Sequence, residues 1–296
     1  MNATTTATRE FLTHLRAAGA DVGHPVEGFF GPSSITWKTA RESVTYLGGM
    51  RALLMQIAHP KVAQGVADHS NFREDSLGRL RRTLTATNAV TFGTREEAIK
   101  AMARIHAIHS RVRGELAEPP PDRSAHAYYA NDPQLLWWVY ATLVDSTIVA
   151  YEAFMPPLSA PEWEQFYDES KALARLFGIP DALIPRTLAD FNAWMEVTIA
   201  SDTIAVTPTA REVARALLRG SLFSRLASPL NYVLAAGMLP PKLREGFELR
   251  WDRPVRAGYA GLTRTIRAVA PRLPDVVRVI PVARCAERRC REARRG

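Results

Sequence analysis

The sequence predicts an all-α fold, arranged as a single large multi-helix domain. Apolar residues recur at helical spacing in most segments, and no segment shows the sustained alternation of a strand. Capping boxes, Thr94 with Glu97 and Ser159 with Glu162, mark the starts of two of these segments. The chain has 296 residues, 47% of them hydrophobic, which is enough to bury a full core.

Composition excludes several classes of protein. The two cysteines, Cys285 and Cys290, argue against a disulfide framework, and no C-x-x-C-H motif for covalent haem attachment is present. Phosphate-loop, dinucleotide-binding, serine-hydrolase and H-E-x-x-H zinc motifs are also absent. The sequence has no run of 18 apolar residues and no signal-peptide pattern at its start, so a cytoplasmic protein is expected.

The net charge of +8 is unevenly distributed, because residues 272–296 hold eight arginines against three acidic residues. A basic tail of this kind contacts an anionic membrane weakly in some proteins, and a solvated, partly frayed terminal helix is the simpler interpretation. No zinc-finger spacing accompanies it, and the aromatic residues follow helical core spacing. A nucleic-acid partner is therefore not expected.

The first part of the chain predicts a short helix within residues 1–25 and then a long helix from Ile35 to Ala58. Gly48 and Gly49 interrupt this long helix. Close packing of another helix explains them best, and contact with a flat ring is the alternative.

His59 and Pro60 form a corner, because proline disfavours helical backbone in the residue before it and can open the next helix. The short helix that follows ends at Asp68, His69 and Ser70. A His/Asp/His group suits a non-haem metal, but the spacing is not a recognised ligand motif. Capping or hydrogen bonding is the other interpretation.

Residues 76–90 predict a helix that places Arg79 and Thr83 one turn apart, with Arg82 on the same side of the helix. Guanidinium groups bind carboxylates in bidentate fashion. This face is therefore either a carboxylate-binding site or an ordinary basic surface.

Residues 95–113 predict a helix, since Thr94 and Glu97 form a capping box and Gly114 supplies a stop. His109 lies inside its apolar stripe and His106 lies on the flank; the stripe comprises Ala98, Ala101, Met102, Ile105, Ile108 and Val112. A buried histidine needs a partner for its ring nitrogens. That partner is either a backbone carbonyl or a metal.

The rest of the chain also predicts helices, near residues 133–154, 160–177, 186–201, 208–219, 221–237, 241–248, 254–269 and 274–292. The first of these is the most apolar. Its stripe is either core or one wall of an apolar substrate cavity; the residues are Trp137, Val139, Tyr140, Leu143, Ile148, Tyr151 and Phe154.

The segments FGPSS, LLMQIAHPKVAQGVADHS, GRLRRT, VTFGT and IHAIHSRVRG resemble, in order, the signature blocks of the family of latex-clearing rubber oxygenases and mycophenolic-acid-pathway oxygenases. The resemblance covers residues 28–250. It implies an all-helical fold with a buried pocket for non-covalent haem b. His109 would be the proximal iron ligand, and Arg79 and Thr83 would belong to the haem pocket, to which we add His106 and His69.

The resemblance implies a haem-dependent oxygenase that uses dioxygen on an apolar, isoprenoid-like substrate. His59 and Arg82 are the candidate catalytic residues. In the rubber enzymes an acidic residue upstream of the R-x-x-R-T block is the proposed base, but this chain has no glutamate between Glu42 and Glu74. His59 is the candidate to replace it.

Two alternatives stay open, a non-catalytic carrier of haem or an apolar ligand, and a cofactor-free interaction protein. The expected organisation is a lead at residues 1–27, the haem-binding domain at 28–250, and C-terminal helices with the basic tail at 251–296.

Overall fold

A computed structural model describes residues 3–70, 76–119, 122, 125–219 and 228–295, with side chains except at 3–7, 18–22, 76–82, 219 and 228. These residues form one all-α domain, as predicted, with fifteen α-helices and one two-stranded sheet. Within this part of the chain, no helix combines the length and apolar character that crossing a membrane requires.

The first half of the chain contains six helices and the sheet. They are α1 (Ala3–Val22), α2 (Ile35–Ala40), α3 (Gly49–Ile57), α4 (Pro60–His69), α5 (Ser76–Phe92), α6 (Arg95–His109), β1 (Arg113–Glu115) and β2 (Ala127–Tyr129). In the second half, the regular elements of the described residues are helices. Its helices are α7 (Pro133–Phe154), α8 (Ala160–Leu176), α9 (Leu188–Ala200), α10 (Pro208–Arg219), α11 (Ser228–Met238), α12 (Pro241–Gly246), α13 (Arg253–Val269), α14 (Asp275–Arg278) and α15 (Pro281–Ala293).

Helix α7 is central to the core. It begins where Asp132 caps the backbone N–H of Gln134 and Pro133 occupies the first turn. Trp137, Tyr151 and Phe154 of its predicted stripe are all buried. The stripe therefore serves as core, with α3, α8 and α13 packed against it.

The prediction of one long helix from Ile35 to Ala58 is wrong. Helix α2 ends at Ala40, a 3-10 segment spans Ser43–Gly48, and α3 then begins. The break at Glu42 has an extended backbone, because Glu42 forms a β-bridge with Val279 and the Ile280 N–H donates to the Arg41 carbonyl. A segment almost 240 residues away thus interrupts the helix. The local sequence pattern around Glu42 does not indicate this contact.

The helix predicted over residues 95–113 begins at the expected capping box but ends at His109. The chain turns at Val112 and enters the antiparallel hairpin of β1 and β2, in which Gly114 lies opposite Tyr128. A Cβ on Gly114 would lie 2.6 Å from the Tyr128 hydroxyl. Gly114 therefore gives the tyrosine ring space within the hairpin and does not act as a helix stop.

Both chain ends also differ from expectation. Helix α1 is 20 residues long rather than short. The helix expected at 274–292 is divided into α14 and α15 by Val279 and Ile280, whose backbone pairs with the Glu42 region. Helix α15 packs on the domain, since Cys290 is buried in a cluster with Trp37 and Phe92.

Gly48 allows close packing of the 3-10 segment on α7, which was the favoured explanation for this glycine. A Cβ there would lie 2.8 Å from the Ala150 Cβ and 2.9 Å from the Ser146 carbonyl. Gly49 has no such neighbour within 4 Å. The two adjacent glycines are therefore in different surroundings, one crowded and one open.

We expect Gly48→Ala to lower the free energy of unfolding by ~1–3 kcal/mol, the usual cost of overpacking. The matched control Gly49→Ala should be neutral or stabilising by up to ~1 kcal/mol, because alanine is the better helix former. Denaturant unfolding of both variants measures this difference. Equal effects of the two substitutions would contradict the close contact with α7.

Candidate active site

Helices α5 and α6 form an antiparallel helical hairpin, because they pack against each other and only Gly93 and Thr94 connect them. Thr83 precedes the end of α5 by nine residues, and Arg104 follows the start of α6 by nine. The turn from Arg79 to Thr83 therefore lies level with the turn from Arg104 to Ile108. Two signature segments that are separate in sequence meet in this way.

Signature segments also meet at the closed end of this helical hairpin. Gly28 has φ of 78°, a conformation that favours glycine, and a Cβ there would lie 2.3 Å from the Gly93 carbonyl. The Arg95 side chain donates to the Gly23 carbonyl at 3.0 Å. The segment before α2 is thus held against the connection between α5 and α6.

His106 and His109 lie on the last turn of α6 and share an unusual environment. The Nδ1 atoms of both rings are buried and have no hydrogen-bond partner among the described residues. The His106 ring stacks on Phe11 of α1, with ring centroids 4.2 Å apart and an interplanar angle of 10°. Two buried, unpartnered imidazole nitrogens on one helix turn are costly unless a ligand engages them.

Burial lowers the pKa of both histidines, and the charge of His106 lowers that of His109 further. Both rings are therefore neutral near pH 7, which is the form in which imidazole binds a metal. The alternative partner for His109 was a backbone carbonyl. Among the described residues, the His109 Nδ1 forms no hydrogen bond to one.

The apolar stripe of α6 is only partly correct. Ala98 and Met102 of the stripe are buried, and Met102 packs with residues of α1, α5 and α8, but Ile108 is 55% exposed. The helix is thus well packed in its first half and open at the end that carries the two histidines.

The basic face of α5 is described in part. Residues 79, 82 and 83 all lie within the helix, as predicted, and Thr83 is exposed with its carbonyl accepting from the Thr87 hydroxyl. The side chains of Arg79 and Arg82 lie outside the described residues. Tyr46 anchors the other end of α5 through a 2.6 Å hydrogen bond to Asn88.

His59 caps helix α4. Its backbone is extended, and its Nδ1 accepts a hydrogen bond from the Lys61 backbone N–H at 3.2 Å. The remaining proton of the neutral ring is therefore on Nε2, which has no partner among the described residues. Burial lowers the pKa of His59 to about 4, helped by the charge of Lys61 and opposed by Asp122 and Asp132.

The other end of α4 is held by the β hairpin. The Tyr128 hydroxyl donates to Asp68 at 2.6 Å, and His69 Nε2 lies 3.1 Å from the Arg113 carbonyl. Among the described residues, no group of three or more His, Cys, Asp or Glu side chains could hold a metal ion. Asp68 and His69 thus make hydrogen bonds at the end of α4. This agrees with the interpretation of the group as hydrogen-bonding residues.

Sequence reasoning missed two features near these histidines. Phe11 stacks on His106, and Asn131, next to the α7 cap, donates to the His106 carbonyl at 3.3 Å. Both contacts join elements distant in sequence. No local signal identifies either residue.

Sequence reasoning also missed a buried ion pair. Arg51 of α3 and Asp145 of α7 lie 2.6 Å apart and border a cavity of about 610 Å³. Arg51 is the charged residue of the apolar helix α3, and Asp145 is one of two acidic residues in the apolar helix α7. This signal could have revealed the pair. A second cavity, of about 390 Å³, lies between Lys171 and Arg186, so neither cavity borders the candidate histidines.

His59→Asn should leave stability nearly unchanged, since asparagine is an equally good helix cap, whereas His59→Ala should cost ~1 kcal/mol. Wild type should also lose stability as the pH falls from about 6.5 towards 4, because the unfolded chain binds the His59 proton more tightly than the folded chain. Unfolding at pH 8 and pH 5 tests this. His59→Asn should show a smaller loss, and an identical loss would contradict burial of the ring.

Comparison with known proteins places the chain in a family. The family model described as "ER-bound oxygenase mpaB/B'/Rubber oxygenase, catalytic domain" matches residues 37–268. The chain belongs to this family. A search of curated proteins and a search of solved structures gave no match.

Membership in the rubber oxygenase family supports an oxygenase function, which implies dioxygen and an oxidisable substrate. The matched region differs in its ends from the expected 28–250. It contains the His59 corner, the α5–α6 helical hairpin and His109, and it ends one residue before the end of α13.

Proposed function

We propose that this member of the rubber oxygenase family is a haem b enzyme that uses dioxygen to oxidise an apolar, isoprenoid-like substrate. His109 would hold the haem iron. The observation that carries the proposal is the His109 imidazole, which is neutral and has a buried nitrogen without a partner among the described residues. Exposed Ile108 beside it offers an apolar surface for a porphyrin or a substrate.

The residues of the helical hairpin suit haem in chemistry. A b-type haem needs one axial ligand and, for its two propionates, cationic or hydrogen-bonding partners. Arg79 and Thr83 lie on the helix turn level with the end of α6, and we assign them to the propionates. His106 and His69 would line the pocket without binding the iron.

A haem bound at this site would supply the redox chemistry that activates dioxygen. His59 would act as a hydrogen-bond donor through Nε2–H, because its Nδ1 is occupied by the helix cap and its pKa of about 4 makes it a weak base. Arg82 would contribute positive charge. The proposed role of His59 is thus donation, without the proton abstraction that an acidic residue could perform.

Oxygen uptake by the haem-loaded protein tests the proposal. A short polyisoprene or another apolar alkene should be consumed together with dioxygen, whereas a polar alcohol of similar length should not be. His59→Asn should retain haem and lose ~10²–10³-fold in turnover, because the helix cap is kept and the Nε2–H donor is removed.

A non-catalytic haem or apolar-ligand carrier is the second candidate function, favoured by the structural role of His59 as a helix cap. A carrier would bind haem as tightly as the enzyme but would consume no dioxygen with any apolar alkene. Unchanged oxygen uptake in the presence of a panel of isoprenoids would support the carrier.

The proposed role of Arg79 gives a separate prediction. Arg79→Ala should weaken haem retention by ~1.5–3 kcal/mol, the usual contribution of a hydrogen bond to a charged group. Haem transfer to apomyoglobin measures the dissociation rate. Arg175→Ala, on α8, is the control and should dissociate at the wild-type rate; an equal rate for Arg79→Ala would make Arg79 a surface residue.

A further inference from the structure

The positive charge of the chain is concentrated in its last helices. Residues 253–295 contain twelve arginines, no lysine and three acidic residues, a net charge of +9. Because the whole chain carries +8, all the other residues together carry −1. The family model matches residues 37–268, so it includes most of α13 and ends before α14 and α15.

Helix α13 presents four of these arginines as one stripe. Arg253, Arg256, Arg264 and Arg267 are all exposed, and at 100° per residue they fall within an arc of roughly 80°. None of the four forms an ion pair with a carboxylate among the described residues. The opposite face packs on the domain through Tyr259, Leu262 and Ile266. The stripe is therefore held rigidly outward.

Helix α15 repeats this arrangement. Its inner face packs through Ala283, Ala286 and Cys290. Arg284, Arg288 and Arg291 fall within roughly 60° on the other side, and Arg288 and Arg291 are exposed.

Two further arginines attach α15 to the domain. The Arg289 side chain donates to the Phe92 carbonyl at 2.6 Å, and the Arg294 side chain donates to Glu27 at 2.7 Å. The tail is thus docked, and only part of its charge is used in docking.

Exposed valines lie in the sequence between the arginines of α13 and those of α15. Of the seven exposed large hydrophobic residues in the described part of the chain, four lie from the last residue of α13 to the second residue of α15. They are Val269, Val276, Val277 and Val282, with exposed fractions of 37–64%. A strongly basic segment that also exposes apolar side chains is typical of surfaces that bind lipid headgroups and insert shallowly into the acyl region.

We propose that this α13–α15 surface, comprising the two arginine stripes and the four valines, docks the protein on an anionic lipid bilayer. The arginines supply attraction to anionic headgroups, and the valines supply apolar contact with the acyl region of the bilayer. Nucleic acid would account for the arginines but gives no reason for the valines. The inference does not depend on haem or on catalysis.

Co-sedimentation with vesicles tests the proposal on the full chain. We expect binding to phosphatidylcholine vesicles that contain phosphatidylserine, little binding to pure phosphatidylcholine vesicles, and weakening of the binding as salt rises. Arg264→Gln with Arg267→Gln should lower the partition coefficient about 30-fold. Val276→Ser with Val277→Ser should lower it about tenfold.

Matched controls remove the same groups from other surfaces. Arg175→Gln with Arg186→Gln removes two exposed positive charges, and Val197→Ser removes a 70% exposed valine of α9. Both controls should bind as wild type does. Equal losses in the controls, absence of binding to phosphatidylserine vesicles, preferential binding of duplex DNA, or self-association through Val276 and Val277 would each overturn the proposal.

Discussion

His109→Ala is expected to abolish stable haem incorporation by this protein. The imidazole is the proposed axial ligand, and its buried Nδ1 has no alternative partner among the described residues. Loss of an axial ligand should exceed the roughly 10–100-fold loss of affinity that follows removal of a group hydrogen-bonded to a metal ligand. The Soret absorbance of the reconstituted variant measures the effect.

His106→Ala is the control for this substitution. His106 lies three residues away on the same turn, has an equally orphaned Nδ1 and stacks on Phe11. It should retain most of the haem, although the stacking on α1 is lost. Full haem occupancy in His109→Ala, or a complete loss in His106→Ala alone, would show that the ligand has been assigned to the wrong histidine.

Arg51→Leu is expected to lower the free energy of unfolding by ~3 kcal/mol. The guanidinium is 4% exposed and joins three helices, since it donates to the Met238 carbonyl at 2.8 Å, donates to the Ser146 hydroxyl at 2.7 Å and pairs with Asp145. Removing one partner of a buried ion pair leaves the other charge uncompensated. We expect the lower end of the usual range because the Asp145 side chain is 18% exposed.

The double variant Arg51→Leu with Asp145→Leu separates charge from packing. Replacing both partners by apolar residues is often close to neutral, so the double variant should recover most of the lost stability in urea unfolding. If it is as unstable as Arg51→Leu, the role of Arg51 lies in its bonds to Met238 and Ser146. This anchor matters for the site because α3 leads directly into the His59 corner.

Helix starts could be predicted from the sequence where the signals are local. The capping boxes Thr94/Glu97 and Ser159/Glu162 are both present in the structure, and each begins a helix at the expected residue. A cap depends on residues three positions apart and on no other part of the fold. Fold class and most helix positions were predictable for this reason.

Helix ends and breaks were less predictable because distant segments set them. Backbone pairing of Val279 with Glu42 interrupts both the predicted helix at 35–58 and the one at 274–292. Tyr128 packs over Gly114 and ends α6 early in favour of the β hairpin. These contacts join residues that are 14 to almost 240 positions apart, so no periodicity within either segment contains them.

The candidate site was predictable as a set of positions but not as a set of contacts. The helical hairpin brings the Arg79 turn level with the His106 turn, as the order of the signature segments allowed. The sequence did not indicate that the His59 Nδ1 would accept a capping hydrogen bond, or that Phe11 would stack on His106. Both depend on the path of the backbone around the site.

Titration of the full-length wild-type chain with haem, followed by its Soret absorbance, tests the central claim most directly. The account predicts saturation at one haem per chain, with the spectrum of a non-covalent b-type haem after extraction into pyridine. No saturable change in the Soret band would contradict a haem site at His109, whatever the protein's oxygenase relatives contain.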